Sequence, residues 1–115
     1  MADLKIDRAV NIKSDRVEME GAENVSVRWL ISADDGAPNF AMRLFEVGKG
    51  GCSPFHSHSW EHEVYVLEGE GKLKFEEEER EFSAGYFIFV PGGKEHSFIN
   101  TGEGKLKFLC MVPNR

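Results

Sequence analysis

His56-Ser57-His58-Ser59-Trp60-Glu61-His62 and Pro91-Gly92-Gly93-Lys94-Glu95-His96 together hold all four histidines of this chain. Imidazole is the commonest metal ligand among side chains at neutral pH. A chain that places its whole histidine supply in two short segments is expected to bind a transition metal. His56 and His58 are two apart, so on a strand they point to one face. His62 opens the β-rich run Val64-Tyr65-Val66-Leu67. His96 follows a second β-rich run, so strand pairing must bring it to the others. The pattern predicts one site with His56, His58, His62 and His96 as ligands.

Glycines and a proline frame these histidines. Gly50 precedes His56 by six positions and Gly69 follows His62 by seven. Gly85 precedes Pro91 by six, and Gly93, His96 and Asn100 then follow at steps of two, three and four. This arrangement resembles the two-part signature of the cupin superfamily, G-x5-H-x-H-x(3,4)-E-x6-G and G-x5-P-x-G-x2-H-x3-N. The second part agrees at every fixed position. In the first part His62 stands where the signature has glutamate. The chain is therefore similar to the small single-domain cupins with four histidine ligands. The two motifs span residues 50–100. The resemblance implies an all-β fold, a cupin-type jelly-roll β-barrel.

The resemblance also implies one divalent transition metal per chain. Four neutral imidazoles leave the 2+ charge of such an ion uncompensated. They favour Mn or Fe here, and Ni, Cu or Zn are compatible. An octahedral four-histidine site keeps two positions open, as catalysis requires, whereas structural zinc is closed and tetrahedral.

The rest of the chain reads as strands. Val25 to Ile31 alternates, with Val25, Val27, Trp29 and Ile31 on one face. Phe40 to Val47 is the next strand, ended by Gly48-Lys49-Gly50-Gly51. Val64 to Glu68 and Lys72 to Glu76 flank Gly69-Glu70-Gly71, which predicts a tight hairpin. Leu73 and Phe75 face inward, and Glu77-Glu78 reads as a turn. Tyr86 to Val90 is apolar on both faces, which suits a strand buried in a sandwich or at a dimer contact. Lys105 to Val112 alternates with Leu106, Phe108 and Cys110 inward. Residues 1–24 are polar and hard to place, with Ala9-Val10-Asn11-Ile12 as a candidate strand. Residues 25–115 are assigned to the barrel. By resemblance, the N-terminal segment is expected to form strand and to pair with a partner subunit in a homodimer.

Composition narrows the partners. A net charge of −6 and a pI near 5.2 argue against nucleic acid or an anionic membrane surface. No apolar run approaches the roughly 20 residues of a membrane span, and no signal peptide is evident at the start. Cys52 and Cys110 are too few for a disulfide scaffold and are read as free thiols in a reducing cytoplasm.

Around the metal, Phe98, Phe108, Cys110 and Arg43 are the candidate substrate-pocket residues, with Phe40, Met42, Phe55 and Trp60 weaker ones. Arg43 is either an anion-orienting group or a rim residue. Glu61 and Glu63 are either metal-supporting acceptors or, by their carboxylate nature, solvated. The first functional expectation is a metal-dependent oxidoreductase, dioxygenase-like, using a small molecule and dioxygen. The second is a redox-neutral isomerase or lyase. The third is a non-enzymatic small-molecule-binding cupin.

Overall fold

Alternating inward residues set the strands of the computed structural model, which describes residues 2–114. They are β1 (Asp15–Arg16), β2 (Glu23–Ile31), β3 (Phe40–Cys52), β4 (His62–Glu68), β5 (Glu70–Phe75), β6 (Glu78–Ser83), β7 (Phe87–Val90), β8 (His96–Asn100) and β9 (Leu106–Pro113). All pairings among them are antiparallel. The sheet order is β6-β5-β8-β3-β9-β4-β7, with β2 also on β3 and β1 on β2. The long strand β3 belongs to both halves, because its last residue, Cys52, pairs with Ile99 of β8. The sheet therefore curls on itself into the jelly-roll barrel.

The barrel interior is filled by alternate residues, most regularly those of β4 and β9, the period that a pleated strand imposes. Val25, Val47, Val64, Val66, Val90, Phe98, Leu106, Phe108 and Val112 form the buried cluster. Phe108 stacks on Phe45 at 5.4 Å and on Phe98 at 4.8 Å. Asn100 is the polar anchor at the closed end. Its amide donates to the Val47 and Gly104 carbonyls, and its oxygen accepts from Gly102 N.

Several local expectations are corrected. Gly69-Glu70-Gly71 is not a hairpin. β4 pairs with β7 and β9, whereas β5 pairs with β6 and β8, so Gly69 carries the chain from one half of the barrel to the other. Its φ of +93° and its contact with the Lys105–Leu106 backbone leave no room for a side chain. β3 does not stop at Gly48 but runs through the glycines to Cys52. Gly48 admits the side chain of Asn24, and a Cβ there would meet it at 2.0 Å. Ala9–Asn11 is a 3-10 turn rather than a strand. The turn between β5 and β6 is Glu76-Glu77, one residue earlier than read.

Two apolar runs also sit differently. Val25, Val27 and Trp29 share one face of β2 and line one cavity, Trp29 at its open side with 47% exposure, and a register shift separates Ile31 from them. Tyr86 to Val90 is interior on one side only: Val90 is fully buried and Ile88 packs on the core, whereas Tyr86, Phe87 and Phe89 are exposed. β7 pairs only with β4 among the described residues, and Phe87 and Phe89 are 83% and 63% exposed. Both cysteines are free, Cys110 buried and Cys52 partly so.

Gly69 and Gly85 share a φ of +93°, but a Cβ on Gly85 would meet nothing within 4 Å. Gly85→Ala is expected to cost about 1–2 kcal/mol, the strain of a left-handed L-residue. Gly69→Ala is expected to cost clearly more, because the Lys105 carbonyl would have to move. Denaturant unfolding of the two variants reads the difference, and equal losses would reject the crossover role of Gly69.

Candidate metal centre

The segment 53–61 between β3 and β4 is loop, not the strand that the His-x-His spacing suggested. It is fastened to β8 by backbone bonds: Ser53 N donates to Phe98 O, and His56 and His96 exchange N–H···O bonds of 3.2 and 2.9 Å. The Gly93 amide donates to His58 O at 2.7 Å. A Cβ on Gly92 would lie 2.3 Å from the Ser59 carbonyl, so the second glycine-rich motif holds the first by close backbone approach.

These ties bring the four imidazoles together. The donor atoms of His56, His58 and His96 lie within 4.8 Å of one another, a triad that could hold a metal ion. His62, the first residue of β4, faces inward beside them. Its Nε2 is 2.8 Å from His58 Nε2, and its ring lies 5.1 Å from that of His96. Two imidazoles bound cis on one metal, each about 2.0–2.1 Å from it, would place their nitrogens about 2.9 Å apart. The observed spacing fits that geometry.

Outer contacts orient the rings. His58 Nδ1 donates to Trp60 O and His96 Nδ1 donates to Lys94 O, each at 3.0 Å. A carbonyl only accepts, so each Nδ1 carries the hydrogen and each Nε2 presents a lone pair to the centre. Trp60 also stacks flat on His58, ring centres 4.2 Å apart. Burial lowers the pKa of His56, His62 and His96. For His62 the value falls to about 3, with the Arg43 cation as the next cause. Those three rings are therefore neutral at pH 7, the form that binds metal.

Above the histidines lies a cavity of about 470 Å³. Its walls include Val17, Met19, Val27, Trp29, Phe45, Trp60, Phe98 and Phe108. Arg43 and Cys110 line it, facing each other across the β3–β9 register. The Arg43 guanidinium lies over the rings of Trp29 and Phe45, 5.3 and 4.8 Å from their centres. Its Nη2 donates to Cys110 Sγ at 3.1 Å, while its buried Nε has no hydrogen-bond partner among the described residues. No carboxylate is among the described residues that line this cavity.

Phe40, Met42 and Phe55 lie elsewhere. Phe40 is exposed opposite Pro113 at the end of β3, and Phe55 packs under Lys74 on the outside. Glu61 and Glu63 are exposed. Sequence reasoning missed Val17, Met19, Trp29 and Phe45 as lining residues. Phe45 was readable as the inward neighbour of Arg43 at i+2. Val17 and Met19 lie in a polar segment with no periodic signal.

The family described as Cupin domain matches residues 43–112. Among solved structures, the polyketide cyclase RemF from Streptomyces resistomycificus is 35% identical, with a TM-score of 0.92. That match covers 98% of this chain and 81% of the cyclase. The oxalate-binding protein of Thermotoga maritima is 29% identical over 96% of this chain and 88% of its own length. A 1-methylthio-D-xylulose 5-phosphate methylsulfurylase of Rhodospirillum rubrum is 34% identical over 62% of this chain. This chain spans only 46% of that relative's length. No helix among the described residues is long and apolar enough to cross a membrane.

The histidine pKa shifts predict acid sensitivity of the chelator-treated protein. Above pH 6.5, the ordinary value, His62 is neutral in both folded and unfolded chains. Below it the unfolded chain binds a proton that the folded site refuses until about pH 3. Stability is therefore lost as pH falls through that window. Thermal unfolding should give a Tm that is level from pH 8 to 7 and falls below about 6.5, less steeply in His62→Gln. A level wild-type Tm from pH 7 to 5 would contradict the burial argument.

Proposed function

This chain belongs to the Cupin domain family, and on that premise we propose that it is a metal-dependent enzyme acting on an apolar, oxygen-bearing small molecule. One observation carries the reading: an apolar cavity whose floor is four imidazoles and whose only charged lining group among the described residues is Arg43. His56, His58, His62 and His96 would hold one divalent transition metal, Mn or Fe first, with Ni, Cu or Zn also accommodated by imidazole. When bound, the metal supplies Lewis acidity to a substrate oxygen. The chain's own residues do the rest. Trp29, Phe45, Phe98 and Phe108 exclude water and hold a flat apolar body. Arg43 adds a fixed positive charge, so the cavity favours a ligand that carries or develops negative charge on oxygen.

The reaction proposed first is redox-neutral, a ring closure or rearrangement. It is supported by the similarity to a polyketide cyclase across nearly the whole chain. The oxygen-dependent oxidation expected first from the sequence is the second reading. It is supported by the all-nitrogen set of candidate donors, which suits Fe and Cu. Oxygen-electrode assays on the metal-loaded protein separate the two. Turnover of a hydroxylated aromatic polyketide in anaerobic buffer supports the first. Stoichiometric dioxygen uptake moves the assignment to the second.

We also propose a homodimer. Tyr65, Leu67, Phe87 and Phe89 form an exposed apolar face on β4 and β7, with Tyr65 directly opposite Phe87. Contiguous apolar surface of this kind marks an interaction site. A second copy is the occupant expected, in line with the dimer that the sequence implied.

Purified protein is expected to carry about one transition metal per chain, and His58→Ala or His96→Ala should lose most of it while keeping the β-sheet circular dichroism. Wild-type metal content in the double variant would reject the ligand set. Light scattering should give about twice the chain mass of 13.0 kDa. Phe87→Glu combined with Phe89→Glu should give the monomer, and a wild-type chain that is monomeric at micromolar concentration would exclude the dimer.

A further inference from the structure

The Arg43–Cys110–His62 contact is not explained by packing. His62 Nδ1 lies 3.0 Å from Cys110 Sγ and 3.4 Å from Arg43 Nη2, and Arg43 Nη2 donates to the same sulfur at 3.1 Å. On its other side His62 Nε2 meets His58 Nε2 at 2.8 Å. In a neutral His58 the single hydrogen is committed to the Trp60 carbonyl through Nδ1, and Nε2 then only accepts. The hydrogen shared between the two Nε2 atoms therefore sits on His62. His62 Nδ1 is then bare and accepts from the Cys110 thiol or from Arg43.

A metal ion requires the other tautomer, because a ligating Nε2 must give its lone pair. The hydrogen then resides on Nδ1 and needs an acceptor. A guanidinium has no lone pair to offer, so Arg43 cannot serve. The other atom within hydrogen-bonding reach of Nδ1 among the described residues is the Cys110 sulfur. Its own hydrogen must rotate away about the Cβ–Sγ bond. The exchange is proton-neutral, one hydrogen leaving Nε2 and one appearing on Nδ1.

We infer that Cys110 is the hydrogen-bond acceptor that lets His62 become the fourth ligand, so that ligation by His62 is gated by its tautomer. The triad of His56, His58 and His96 can bind without it, and Arg43 biases His62 towards the unligated form. Cys110 is thus a positioning residue. This inference rests on the metal-binding reading above.

Zinc alone is a sufficient probe, read by nitrogen NMR of histidine-labelled protein and by calorimetry. In the chelator-treated wild type, the His62 signal, identified by its loss in His62→Gln, should report a protonated Nε2. In the zinc-loaded form it should report a protonated Nδ1 and a metal-bound Nε2. Cys110→Val fills the same space without an acceptor. It should bind zinc about 10–100-fold more weakly, with His62 still protonated on Nε2. Cys110→Ser, which accepts again, should recover most of that loss. Cys110→Ala serves in place of the valine variant if the valine does not pack. Wild-type zinc affinity together with a protonated Nδ1 in the variant lacking an acceptor would overturn the inference. So would a folded serine variant as weak as the valine one. If wild type itself fails to bind zinc stoichiometrically, the metal-binding reading falls, and this inference with it.

Discussion

Antiparallel pairing of β3 with β9 sets Ala41 opposite Val112, Arg43 opposite Cys110, Phe45 opposite Phe108 and Val47 opposite Leu106. All of these point into the barrel. A slip of one residue would turn every one of them outward. The same register therefore defines the hydrophobic core at one end and the cavity wall at the other. Phe45, Phe108 and Phe98 form a continuous stack between the two zones. The wall of the cavity is thus continuous with the core.

The histidines depend on that frame in two ways. His62 and His96 are the first residues of inward-facing strands and are 7% and 3% exposed. Their positions follow from strand register alone. His56 and His58 lie on a loop and need outside help. The backbone bonds to His96 and from Gly93 supply it, and the Trp60 carbonyl and ring fix His58. The two glycine-rich motifs are therefore mechanically coupled. The first holds three of the candidate ligands, and the second holds His96 and provides the backbone contour against which the loop of the first rests.

Much of this was legible in the sequence, and what was not has physical causes. Strong alternation identified the inward set of β9 as Leu106, Phe108 and Cys110, and the burial pattern agrees. The motif spacing named the histidines that converge. Gly69-Glu70-Gly71 misled because a glycine-rich connection between two strands is locally the same whether it closes a hairpin or crosses between halves of a barrel. Only the non-local pairing of β4 with β7 and β9 decides it. The glycines in β3 misled because the reason for them, Asn24 and Glu23 pressing on the strand, lies some 25 positions earlier in the chain. Val17 and Met19 reach the cavity from a segment whose composition carries no signal at all.

The substitution at position 62 gains its meaning from Arg43. A glutamate at this position would stand beside the guanidinium that now lies 3.4 Å from His62 Nδ1. The two charges would pair, and Arg43 would have little field left for a ligand. With an imidazole held neutral by burial, that cancellation is absent. Arg43 keeps its charge, the candidate metal site lacks a carboxylate among the described residues, and both effects would push the cavity potential in the same positive direction. The lining is otherwise aromatic and aliphatic, so little in the walls opposes that field. A low-dielectric cavity with uncompensated positive charge stabilises an oxyanion more than the neutral molecule from which it forms. That differential is what the proposed chemistry on an enolate or phenolate would require, and His62 and Arg43 are the two residues from which it would arise.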